Sequence, residues 1–136
     1  MWPVYALLAM LCFASMQLVF RYTTRGGLTP AVVLFFVFGV GWLFYLLHVA
    51  LLRPTLPVTL SRLALLFLAG ALAYVGNLYA VRAVSIAPNP GYAMALVSLQ
   101  ALVVTFASVL LLDAAFSWTK LVGVLLCGAG AALLVL

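Results

Sequence analysis

Breaks rich in proline, glycine and polar residues cut this chain into five apolar runs, at residues 2–20, 30–52, 63–84, 90–112 and 118–136. Each run is near the length at which a helix crosses a bilayer. A helix rises about 1.5 Å per residue and the hydrocarbon layer is about 30 Å thick, so a crossing takes about twenty mainly apolar residues. Backbone donors and acceptors have no partners in lipid, which leaves the helix or the closed barrel as spanning structures. The runs are too continuously apolar for the alternating pattern of barrel strands. The expected fold is therefore all-α, a single polytopic membrane domain of five transmembrane helices.

Composition supports lipid as the solvent. Of 136 residues, 70% are apolar and 5% charged, whereas soluble domains run near half apolar and a quarter charged. Six basic residues, one acid and one histidine are too few to cover a water-exposed surface. The basic residues, Arg21, Arg25, Arg53, Arg62, Arg82 and Lys120, are scattered singly. They form no stripe for phosphates, so nucleic acid is not an expected partner; headgroup contact and topology signalling are. Cys12 and Cys127 sit inside apolar runs without ligand spacing, so neither a disulfide nor a metal is expected. The start, Met1-Trp2-Pro3, lacks the basic region of a secretory signal, and the first run reads as a helix that stays in the membrane.

The breaks carry turn chemistry. Residues 21–30 hold Thr23, Thr24, Gly26 and Gly27, and residues 53–62 hold Pro54, Pro57 and Thr59; both disfavour continued helix. Ala87-Pro88-Asn89-Pro90-Gly91 reads as a tight link after which Pro90 opens the next helix. Ser117 is the expected N-cap of the last one. Five crossings put the termini on opposite sides. Arg53, Arg62 and Lys120 then share one side and Arg21, Arg25 and Arg82 the other, a tie that sets no orientation by the positive-inside rule. Such a chain is suited to inserting both ways and pairing as an inverted assembly; the competing reading is one fixed orientation.

From Tyr79 onward the pattern gains features: Tyr79-Ala80-Val81-Arg82-Ala83, the short Ala87-Pro88 link, a fourth helix ending Leu110-Leu111-Leu112-Asp113, a tryptophan-containing turn, and a last helix with Gly123, Gly128 and Gly130. This resembles a single EamA-type repeat of the drug/metabolite transporter superfamily. Members often carry a proline midway in the fourth helix and Gly-Glu at its end; Gln100 and Leu112-Asp113 stand there in this chain. The resemblance implies half of an inverted-repeat transporter in a bacterial cytoplasmic (inner) membrane. It also implies pairing as a homodimer or with a second half-size chain.

Polar side chains within a bilayer tend to face a bundle interior or cavity. Asn77 and Gln100, midway in the third and fourth runs, are the leading candidates to meet a small-molecule substrate, against the plainer alternative of a hydrogen bond between helices. Tyr74 shares a helical face with Asn77. Trp42 and Tyr92 are candidate aromatic walls, with packing as the alternative. Arg82 either snorkels to water or attracts an anionic group. His48 and Asp113 read as structural, Asp113 as an interfacial partner of Lys120. Gly123, Cys127, Gly130 and Ala131 in the last run form a small-residue face expected to pack against another helix.

No phosphate-binding loop, nucleophile elbow, zinc-protease motif or second carboxylate occurs, so no catalytic residue, cofactor or enzyme activity is expected. The expectation is a half-size transporter or flippase moving a small amphiphilic metabolite, drug or lipid-linked anion by alternating access, with its cavity between the second, third and fourth spans. The alternatives are a non-transporting accessory subunit and, less favoured, a membrane-embedded enzyme acting on lipid.

Overall fold

A computed structural model describes residues 2–53, 59–115 and 117–134 of the chain. The described residues form six helices and no strands: α1 (Trp2–Arg25), α2 (Pro30–Leu52), α3 (Leu60–Ile86), α4 (Pro90–Val97), α5 (Gln100–Leu111) and α6 (Trp118–Leu133). The chain is thus an all-helical, multi-pass membrane protein. Four stretches are long and apolar enough to cross a bilayer: Pro3–Arg25, Pro30–Leu52, Leu60–Ile86 and Pro90–Leu111, with mean hydropathy between 1.8 and 2.3. The fifth expected crossing is not among them. α6 has 16 described residues, about 24 Å at 1.5 Å per residue, and residues 135–136 at its expected end lie outside the described residues.

Two helices run further than the apolar pattern implies. α1 continues from Phe20 to Arg25 because its threonines fold back onto the helix: Thr23 donates to the Val19 carbonyl at 2.9 Å and Thr24 to that of Phe20 at 2.7 Å. Such bonds keep hydroxyls satisfied inside a helix. The stop comes at Gly26-Gly27, where Gly27 takes φ +95, a conformation that glycine alone adopts freely. α2 then starts with Pro30 in its first turn, and ends at Arg53 with φ 44 and a bond from its N–H to Val49 O. Pro54 and Pro57 of the expected turn lie outside the described residues. α3 begins earlier, at Leu60, with the Arg62 N–H donating to the Thr59 hydroxyl at 3.4 Å.

The fourth run is two helices. Pro90 opens α4 as its composition implies, and Asn89 caps it by accepting from the Gly91 N–H at 2.8 Å. At Ser98–Leu99 the helix tightens: Leu99, Ala101 and Leu102 each donate to the carbonyl three residues back. No proline or glycine lies in the break. The Ser98 hydroxyl donates to the Ala95 carbonyl within this tightened turn. Ser117 occupies the N-cap position of α6 but its side chain makes no capping bond.

The chain divides into two units, residues 1–85 and 86–136. In the first, α1 packs on α2, and the buried residues are Gln17 and Phe20 of α1, Val33 and Leu34 of α2, and Val81 and Val84 of α3. All lie toward one end, where α1 and α3 finish and α2 begins. The other half of each helix is exposed apolar surface, which is acceptable only in lipid or against other apolar helices. In the second unit α6 packs on α4 and α5, with Ala93, Leu121 and Ala131 buried.

Candidate functional site

The first unit holds an apolar cavity of about 440 Å³, lined by Ala31, Leu34, Phe35, Phe38 and Gly39 of α2 and Tyr74 of α3. It begins where burial ends. Val33 and Leu34 close the packed end of the unit, and the cavity occupies the next turns of α2. Phe35 is held edge-on by Phe36, with ring centroids 5.5 Å apart at 80°. Gly39 widens the cavity, since nothing stands within 4 Å of where its Cβ would be. The volume is within the range of small-ligand sites, and the one hydroxyl, from Tyr74, is the kind of sparse polar group that orients a ligand.

Of the residues singled out from sequence, Tyr74 lines this cavity while 63% of its surface stays exposed. Asn77, one turn further along α3, is half-buried and donates to the carbonyl of Ala73 at 2.8 Å. That bond satisfies one amide hydrogen within its own helix and holds no second helix. Trp42 is on α2 beyond the cavity, exposed. Arg82 lies near the end of α3, also exposed.

The remaining candidates belong to the second unit. Tyr92 is in the first turn of α4, and Gln100 is exposed as the first residue of α5, directly after the break. On α6, Ala131 is buried, Cys127 is exposed, and Gly123 and Gly130 face open space. The close approach is made by Gly128, where a Cβ would meet Leu102 Cδ1 at 2.9 Å and Leu99 Cδ2 at 3.5 Å. The helix break and the glycine thus face each other. Asp113 takes φ 50 after α5; the side chain of its expected partner Lys120 lies outside the described residues.

Sequence reasoning passed over Gln17 and assigned Arg21 only to a loop. Both are on one face of α1, four residues apart. Arg21 Nη1 donates to the carbonyl of Val84 at 2.9 Å and also to that of Ser85, the last carbonyls of α3, which have no partner inside their own helix. A cation there also suits the negative end of the helix dipole. Gln17 is only 9% exposed, and its Oε1 and Arg21 Nε are buried without a hydrogen-bond partner. The signal available from sequence was an amide and a guanidinium at i and i+4 near the end of an apolar helix.

Among the described residues, no group of three or more His, Cys, Asp or Glu side chains gathers to hold a metal. No curated protein and no solved structure matches the chain. The model of the EamA-like transporter family matches residues 1–136, the entire sequence. An apolar cavity between membrane helices, polar groups on those helices and a family match of that extent agree: the chain belongs to the EamA-like transporter family, membrane transporters of the drug/metabolite type.

Proposed function

We propose that the protein is a half-size transporter that moves a small amphiphilic metabolite, drug or lipid-linked anion by alternating access as an antiparallel dimer. The observation that carries this reading is the apolar cavity beside Tyr74, in a chain whose residues 1–136 match the EamA-like transporter family. A site that must hold cargo away from lipid needs further walls, and the exposed apolar faces of α2 and α3 are suited to receive them from a second copy. α6 supplies the fifth crossing, which puts the termini on opposite sides of a bacterial cytoplasmic membrane. In the first unit Trp42, Tyr74, Asn77 and Arg82 are the candidate cargo contacts, and in the second unit, taken by itself, the candidates are Tyr92 and Gln100. The face of Gly123, Cys127, Gly130 and Ala131 packs against a neighbouring helix. Rocking about a midplane site would carry the solute across.

Purified protein in proteoliposomes tests the reading: uptake of an amphiphilic cation or anion above that of empty liposomes, reduced in Asn77→Leu and Gln100→Leu, is the expected result. Copurification with a larger complex and no flux alone would instead establish the accessory-subunit reading. Dual orientation is checked by replacing Cys12 and Cys127 with alanine and labelling Thr59→Cys. Modification from both faces of the membrane is expected, and modification from one face only would remove the antiparallel homodimer.

A further inference from the structure

Three of the six basic residues gather at one end of the first unit. Arg21 fastens α1 to the final carbonyls of α3. Arg25 is one turn further along α1, and Arg82 is three residues before Ser85 on α3, so both stand at this end, and both are exposed. Residues 1–85 include no Asp or Glu, since the single acid of the chain is Asp113. α2 also starts here, and Thr29 makes no side-chain cap on its first turn.

The apolar cavity runs inward from the same end. Its α2 lining spans Ala31 to Gly39, which reaches about 14 Å from Pro30 at 1.5 Å per residue, near half the thickness of the hydrocarbon layer. Tyr74 on the facing wall is eight residues before Arg82, about 12 Å along α3. Arg25 and Arg82 therefore stand at the end of the first unit from which the apolar groove runs along α2 and α3.

We propose that this end of the first unit binds one anionic phospholipid of the surrounding membrane, with its phosphate between Arg25 and Arg82 and an acyl chain in the groove along Phe35, Phe38 and Tyr74. Charge decides the occupant. Residues 1–85 hold no acid to pair with Arg25 and Arg82, and a parallel copy meeting this end side by side would set arginines against arginines. A soluble anion would leave the groove unused. An anionic lipid satisfies both parts, each interfacial arginine adding attraction to the phosphate. The groove is the proposed cargo cavity, so lipid and solute would compete for it; lipid retention is read without flux, and a chain that moves no solute can still retain lipid.

Native mass spectrometry of the detergent-solubilised chain, titrated with palmitoyl-oleoyl phosphatidylglycerol or phosphatidylcholine, tests it. Phosphatidylglycerol is expected to be retained in preference, and Arg25→Gln and Arg82→Gln each to lower that preference about fivefold. Gly39→Phe, introduced into open space, is expected to weaken retention of both lipids by filling the groove. Should the Gln variants lose helix content, the pair Arg25→Lys with Arg82→Lys keeps both charges and must keep the preference. Equal retention of the two lipids, displacement of phosphatidylglycerol by an equal concentration of glycerol 3-phosphate, or folded Gln variants with unchanged preference would each overturn the assignment.

Discussion

Arg21 on α1 reaches across to α3 and places Nη1 2.9 Å from the carbonyl oxygen of Val84, a residue 63 positions later in the chain. The same nitrogen serves Ser85, so one guanidinium joins two helix ends. Phe20, Val81 and Val84, the largest fully buried side chains among the described residues, flank this contact in sequence. The charge is therefore part of the unit's packing and is not spare for cargo.

Replacing Arg21 with methionine should destabilise the protein by about 2 kcal/mol, the scale of a hydrogen bond to a charged group plus the stranded carbonyls. Arg21→Lys should recover part of this, because a single ammonium lacks the planar fork. Thermal unfolding in detergent, followed by circular dichroism, reads both; equal melting of Arg21→Met and the parent chain would show that the contact contributes nothing.

Gly128 sets the spacing of α6 and α5. In Gly128→Ala the added carbon meets the end of the Leu102 side chain, which can rotate away, so the loss should be small. Gly128→Ile leaves no such room and should cost about 1–3 kcal/mol by overpacking. The two variants compared by melting temperature separate the outcomes, and an isoleucine as stable as the alanine would mean that the helices are not held at this distance.

Ser98→Ala removes the hydroxyl that donates to Ala95. α4 and α5 should then approach one continuous helix, and amide exchange at Leu99, Gln100 and Ala101 should slow. Unchanged exchange there would assign the break to packing against Gly128 and not to the serine.

Asn77→Leu offers a clean test of cargo contact. The described hydrogen bond of Asn77 goes to Ala73 in its own helix, so its removal should change stability by less than about 0.5 kcal/mol, as for substitutions away from shared networks. Transport should nevertheless fall about fivefold, corresponding to one hydrogen bond of about 1 kcal/mol lost to the cargo. Full flux in a folded Asn77→Leu protein would remove this amide from the site.

The membrane-spanning stretches were legible because the transfer of apolar residues into lipid is nearly additive along the chain and needs no knowledge of neighbours. Proline and glycine act just as locally, so Pro30 and Pro90 open their helices where composition places them and Gly27 turns the chain after α1. Helix ends were less legible. Thr23 and Thr24 look like loop residues, yet inside a helix their hydroxyls have carbonyls to bond, and α1 runs on to Arg25. The break at Ser98 was hidden because no proline or glycine marks it in the sequence, and the glycine that faces it, Gly128, is thirty residues away.

By itself, then, the sequence determined the solvent, the helical class and the approximate positions of four of the five expected crossings, all properties summed over adjacent residues. Only the tertiary structure decided that Arg21 fastens α3, that Gly128 takes the close approach while Gly123 and Gly130 face open space, and that Tyr74, not Trp42, looks into the cavity. Each of these depends on which surfaces meet between helices remote in sequence. Apolar helices of similar composition carry too little pattern to specify that meeting in advance, and it is packing and a single shared guanidinium that resolve it.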